Sequence, residues 1–276
     1  MKSVLLILTL TVVTACEYFE LRGFVSSYET ADQRFEQSME WNKAKGYTSI
    51  HHSQQHYTLY AMSDSHVGAT QNLTRFFDAA QSNALAALLV GDLTTGKQAD
   101  YEVFSSHLPA DTTFRYFALA GNHDIYFDGW KHYRKLFGTS TYYFSVNTPN
   151  ASDLFICLDS SGGTLGSLQL EWFRTVLETM RNNYRHCVVF THNNLLRFRP
   201  TMSTNPYVEE VQVLLDLFLR HRVGFAITGH DHISDSATFG STTHITMDAL
   251  LDKNKQAGYL KQMIREEGIE FRFEKM

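Results

Sequence analysis

Cysteine, proline and excess charge are all in short supply here. Only three cysteines occur among 276 residues, which leaves little material for a soft, thiolate-rich metal site. Four prolines and sixteen glycines leave no room for a long low-complexity linker. A net charge of −5 and a pI near 6.2 give no electrostatic ground for a nucleic-acid partner. Internal repeats are missing as well. What remains is an ordinary globular composition, 43% hydrophobic and 19% charged, long enough for one large domain or at most two small ones. Histidine is the generous residue. Thirteen are present, and their placement is the informative feature.

The first residues read as a targeting signal. Lys2 supplies a positive start, Val4 to Val13 forms an apolar run, and Thr14 and Ala15 are small. That run is too short to span a bilayer comfortably. The string "VTAC" is similar to a bacterial lipobox and puts Cys16 where a lipoprotein is cut and lipidated; the alternative is a plain secretory signal with an incidental cysteine. The expectation is a signal over 1–15, a tether over 16–55 carrying a helix around "DQRFEQSMEW", and a domain over 56–276. The domain would then hang by a lipid on Cys16 from a bacterial membrane, in an extracytoplasmic space. Cys157 and Cys187 lie inside apolar runs and read as buried thiols, with a disulfide between neighbouring strands left open.

From Tyr57 onward the pattern alternates between strand and helix. Strands are expected at 57–63, 84–90, 114–120, 142–146, 154–159, 186–191 and 223–228. Between them, helices place Leu73, Phe76, Phe77 and Ala80 on one face, then Trp130, Tyr133 and Phe137, then Leu170, Phe173, Leu177 and Met180. Asn205-Pro206 reads as a helix start, with Val211, Leu214, Leu215 and Phe218 facing inward. The tail reads as antiparallel strands, "HITMDAL", "YLKQMI" and "IEFRFE".

Five of the strand-like runs end alike. They close on Asp64-Ser65-His66, Gly91-Asp92, Gly121-Asn122-His123-Asp124, His192, and Gly229-His230-Asp231-His232. Carboxyl ends of parallel strands share an edge where ligands bind, so groups spread over some 170 residues would meet in one place. Histidine, aspartate and asparagine without cysteine form a nitrogen and oxygen donor set, suited to Mn, Fe or Zn. Donors are too many for one tetrahedral ion, and Asp92 is placed to bridge. A pair of divalent ions ~3.5–4 Å apart is the economical reading, an arrangement suited to in-line displacement at phosphorus.

The ordered blocks D-x-H, G-D, G-N-H-D, H and G-H-x-H, from Tyr57 to His232, resemble the calcineurin-like metallophosphoesterase superfamily. That resemblance implies an α/β fold, a four-layer α/β/β/α sandwich of two mixed sheets with flanking helices. It also implies a phosphatase or phosphodiesterase acting on a small phosphate ester through two divalent ions. Asp64, His66 and His232 would hold the first ion, and Asn122, His192 and His230 the second, with Asp92 shared. His123 would be the general acid, oriented by Asp124, with a metal-bound hydroxide attacking phosphorus directly. A non-catalytic surface lipoprotein on the same scaffold is the alternative; it would be expected to have lost the acid or a ligand.

Other polar residues read more plainly. His107, His132, His186, His221 and His244 are expected at the surface or satisfied in the core. Asp231 is expected to structure its turn, and Asp159 to be a turn or outer-sphere group. Arg197 and Arg199 could clamp a phosphate, but a solvated loop is the preferred reading.

Overall fold

The computed structural model describes residues 28–67, 70–197 and 204–276. The signal and anchor readings on residues 1–16, and Arg199, lie outside the described residues.

Two sheets face each other. The smaller has five strands in the order β12-β11-β2-β3-β4, built from β2 (Tyr57–Met62), β3 (Ala86–Val90), β4 (Arg115–Leu119), β11 (Gly258–Ile264) and β12 (Ile269–Lys275). The larger has seven in the order β1-β5-β6-β7-β8-β10-β9, from β1 (Thr48–His51), β5 (Tyr142–Asn147), β6 (Ser152–Leu158), β7 (Cys187–Thr191), β8 (Phe225–Thr228), β9 (Asp235–Phe239) and β10 (Thr242–Thr246). Each sheet mixes parallel and antiparallel pairs. Inward side chains of both form the central core, where Phe117 of β4 stacks on Phe144 of β5 with ring centroids 3.7 Å apart.

Helices cover both outer faces because each sheet is apolar on its outer side as well. On the smaller sheet lie α2 (Gln71–Asn83), α3 (Gln98–Ser106) and α5 (Trp130–Phe137), whose Leu73, Phe76, Phe77, Ala80, Phe104, Trp130 and Tyr133 are buried. Against the larger sheet lie α6 (Gly166–Met180) and α7 (Val208–Arg220). A short α4 (Asn122–Ile125) follows β4 directly.

Within the segment expected to be a tether, α1 (Ala31–Lys45) and β1 pack onto the domain. Thr30 and Gln33 close a reciprocal capping box at the start of α1. Farther along the helix, Arg34 Nε lies 2.9 Å from Asp159 Oδ2, both nearly inaccessible to solvent. β1 adds a parallel edge strand to β5.

Some local expectations change. Helix α7 starts at Val208 without a side-chain cap, and Asn205 instead accepts a hydrogen bond from Arg197. Its buried face is Leu214, Leu217 and Phe218, so Leu217 rather than Leu215 completes the stripe. In α6 the buried positions are Gln169, Phe173, Val176 and Leu177. The strand expected through Leu250 ends at Thr246. Cys157 and Cys187 are both free. They sit three rungs apart on β6 and β7, a separation of about 10 Å along the strands, beyond disulfide reach.

Candidate metal centre

All five strand ends marked by the sequence converge, three from the smaller sheet and two from the larger. Backbone bonds lace the turns together. Asp64 N donates to Gly91 O, His66 N to Asp92 O, and Gly229 N to His192 O. The turns are tight: Asp64, His66, Asp92, His230 and His232 all have positive φ, between 45° and 71°. Such backbone is costly for residues with a Cβ and persists only where surrounding structure enforces it. Glycine then allows the sheets' edges to close up. A Cβ on Gly229 would overlap Ser63 Oγ and stand 2.5 Å from Asp64 Oδ2, and one on Gly121 would overlap Asp92 Oδ1.

Each carboxylate is anchored through one oxygen and offers the other. Asp64 Oδ2 accepts from His230 N at 2.9 Å and Ser63 Oγ at 2.5 Å, a link between the two sheets. Its Oδ1 is buried and faces the imidazoles, 3.2 Å from His232 Nε2 and 3.7 Å from His66 Nε2. Asp92 Oδ1 accepts from His123 N at 2.8 Å, while Oδ2 lies 3.2 Å from His192 Nε2 and 3.7 Å from His66 Nε2. Asp92 Oδ2 therefore faces histidines from both expected ligand sets.

The imidazoles are anchored likewise. His192 Nδ1 lies 2.9 Å from Val90 O, and His230 Nε2 lies 2.8 Å from Thr204 O. A carbonyl can only accept, so those nitrogens carry the protons. The remaining nitrogens, His192 Nε2 and His230 Nδ1, then face one another at 3.2 Å. His66 Nε2 and His232 Nε2 also meet at 3.2 Å. Two lone pairs at that distance repel unless a cation lies between them and the carboxylates. A proton on His192 can also take that part. Burial alone would depress His192, but Asp92, Asp64 and the Val90 carbonyl outweigh it and push its pKa up to about 10. Burial and the charge on His192 then draw His230 down to about 4. Burial would raise Asp64 and Asp92, yet the surrounding imidazoles, His192 foremost, hold both carboxylates low.

Three overlapping donor groups result: Asp64, His66 and His232; His66, Asp92 and His123; and Asp92, His192 and His230. Asn122 is buried beside them, and its Oδ1 accepts no hydrogen bond. Buried carboxylate and amide oxygens gathered with imidazole nitrogens form a nitrogen and oxygen donor set, so these residues fit divalent metal.

Not every expectation holds. Asp124, expected to orient His123, instead receives Leu93 N, Thr94 N, Thr94 Oγ1 and Gly121 N, clamping the loop after β3 to that after β4. Burial, with Asp92 nearby, raises its carboxyl to about 6. His123 faces Asp92, with Nε2 3.9 Å from Oδ2, and its ring meets His66 edge-on at 4.5 Å. Arg197 is not solvated: its Nη2 lies 2.6 Å from Asp231 Oδ1, and both side chains are buried. Asp231 also accepts from Asn194 Nδ2, which ties its turn to the loop after β7. Asp159 pairs with Arg34 and stays out of the donor groups. Tyr126, which the sequence reading did not single out, is 2.9 Å from Asn122 Nδ2 through its hydroxyl. Its place four residues after the G-N-H-D asparagine was the available signal.

Gly229→Ala is expected to push Ser63 and Asp64 out of place. Elemental analysis after Mn reconstitution should find less metal than in wild type, with a stability loss of about 1–3 kcal/mol from overpacking. Full metal content would show that the approach at Gly229 does not set the ligand geometry.

The comparisons with known proteins agree with this geometry. A family model described as calcineurin-like phosphoesterase matches residues 57–234, more than half of the chain. No curated protein sequence matches. Among solved structures, a Plasmodium protein described as GAP50, the anchor in the inner membrane complex, is similar with a TM-score of 0.62 at 11% identity, over 80% of this chain and 84% of that one. A dimetal phosphatase from Danio rerio is similar with a TM-score of 0.59 at 13% identity, over 79% of this chain and 95% of that one. At such identities the likeness shows the fold. Strand ends, donor groups and family match coincide over the same residues, and the chain belongs to the calcineurin-like phosphoesterase family.

Proposed function

We propose that this chain hydrolyses phosphomonoesters or phosphodiesters at a centre of two divalent ions, Mn, Fe or Zn. The observation that carries the reading is the pair of anchored imidazoles, His192 and His230, which approach each other at 3.2 Å with His192 Nε2 also 3.2 Å from Asp92 Oδ2. Divalent ions at such a site lower the pKa of water and neutralise charge that develops at phosphorus.

The chain's own residues supply the rest. Asp64, His66 and His232 would hold one ion, Asn122, His192 and His230 the other, with Asp92 between the sets. Of the two site histidines from the smaller sheet, His123 is the more open, with 23% of its side chain exposed against 13% for His66, so a substrate oxygen can reach it. A proton on its imidazole can pass to the leaving oxygen as the ester bond breaks. Asp124 holds the turn that presents His123.

The Plasmodium structure is described as an anchor, and one fold can host catalytic and non-catalytic members. Retention of a solvent-reachable His123 beside a complete ligand set favours hydrolysis here. A panel of phosphomonoesters and phosphodiesters assayed with Mn, Fe or Zn should show turnover that a chelator abolishes. His123→Asn should keep its metal yet lose roughly 10²–10⁴-fold in rate, the usual worth of general acid catalysis. The loss should be greatest for poor leaving groups. No turnover on any ester, or an undiminished His123→Asn rate, would overturn the assignment.

A lipid anchor on Cys16 belongs to the same proposal and is supported by the "VTAC" string. Expressed in a bacterial host, the wild type should partition into membranes and Cys16→Ser should not; equal partitioning would contradict the anchor.

A further inference from the structure

Asn122 differs from every other candidate ligand in that its donor and acceptor ends cannot be exchanged by a shift of tautomer. Either oxygen of an aspartate can meet an ion, and the carbonyls of Val90 and Thr204 fix the two buried imidazoles. A carboxamide, by contrast, serves an ion only if its oxygen faces inward and its amino group has an acceptor elsewhere. Asn122 is 1% exposed, so water cannot supply that acceptor. Its Nδ2 donates to Tyr126 Oη at 2.9 Å, and its Oδ1 accepts no hydrogen bond. Tyr126 sits one turn farther along and is itself buried, and its ring lies 4.9 Å from that of His123 at 47°. One side chain thus touches both the amide ligand and the histidine that follows it.

We propose that Tyr126 is a positioning residue of this centre. Its hydroxyl oxygen takes the Asn122 amino group, so the amide oxygen is delivered to the ion held with His192 and His230, while its ring backs His123. The inference rests on the reading of Asn122 as a metal ligand. It predicts a specific dependence: Tyr126 matters because residue 122 is an amide. An aspartate there has no N–H to satisfy and presents an oxygen either way round.

The test is a four-protein set, wild type, Tyr126→Phe, Asn122→Asp and the double variant, titrated with Mn²⁺ against a chromophoric chelator. Tyr126→Phe should weaken the affected site roughly 10- to 100-fold, as is usual when a ligand loses its supporting partner. In the Asn122→Asp background the same change should weaken it little. An equal loss in both backgrounds would mean that Tyr126 is merely structural, and no loss in either would remove its role altogether; both overturn the proposal while leaving the metal centre intact. Failure of wild type to take up Mn²⁺ would instead remove the centre and this inference with it. Should Tyr126→Phe not fold, the metal-free wild type still decides. Its Asn122 side-chain amide protons should exchange slowly with solvent, and fast exchange would overturn the proposal.

Discussion

The structure turns on a cluster of buried donors that needs positive charge at its centre. Two buried imidazoles have one nitrogen each tied to a backbone carbonyl, so the other nitrogens must point at each other, next to a carboxylate that is anchored through its far oxygen. In an apolar interior this arrangement would be repulsive without positive charge at its centre. Backbone in the left-handed region at five of the candidate ligands is a second constraint on the same turns. Strain of this kind is held in place by surrounding hydrogen bonds, and here those bonds run between turns from different strands.

The sandwich makes this possible. Each sheet alone brings only part of the donor set, Asp64, His66, Asp92, Asn122 and His123 from the smaller, His192, His230 and His232 from the larger. Packing of Phe117 on Phe144 and their neighbours fixes the sheets' spacing far from the site. The link from His230 N to Asp64 Oδ2 then sets it at the site itself. The geometry of the candidate donors is thereby inherited from core packing, which tolerates little change in volume.

Much of this was legible in the sequence because its signals are local. Apolar runs of strand length that stop at Asp, Asn, His or Gly identified β2, β3, β4, β7 and β8 and every residue in the three donor groups. The missed strands, β1 and β9, are largely exposed, so no buried alternation marked them. Two further misjudgements concern partners distant in sequence. Nothing near Asp124 announces that its carboxylate will be consumed by the loop after β3. Nor does the "NNLLRFRP" loop reveal that Arg197 will be buried against Asp231, 34 positions later. The tether reading had no access to the Arg34–Asp159 pair, which spans 125 positions and fastens α1 to the domain.

Anomalous X-ray diffraction from crystals grown with Mn²⁺ tests the central claim most directly. The account requires two anomalous peaks about 3.5–4 Å apart, one on either side of the Asp92 carboxylate. A single peak, peaks that avoid the His192–His230 pair, or none at all would contradict it.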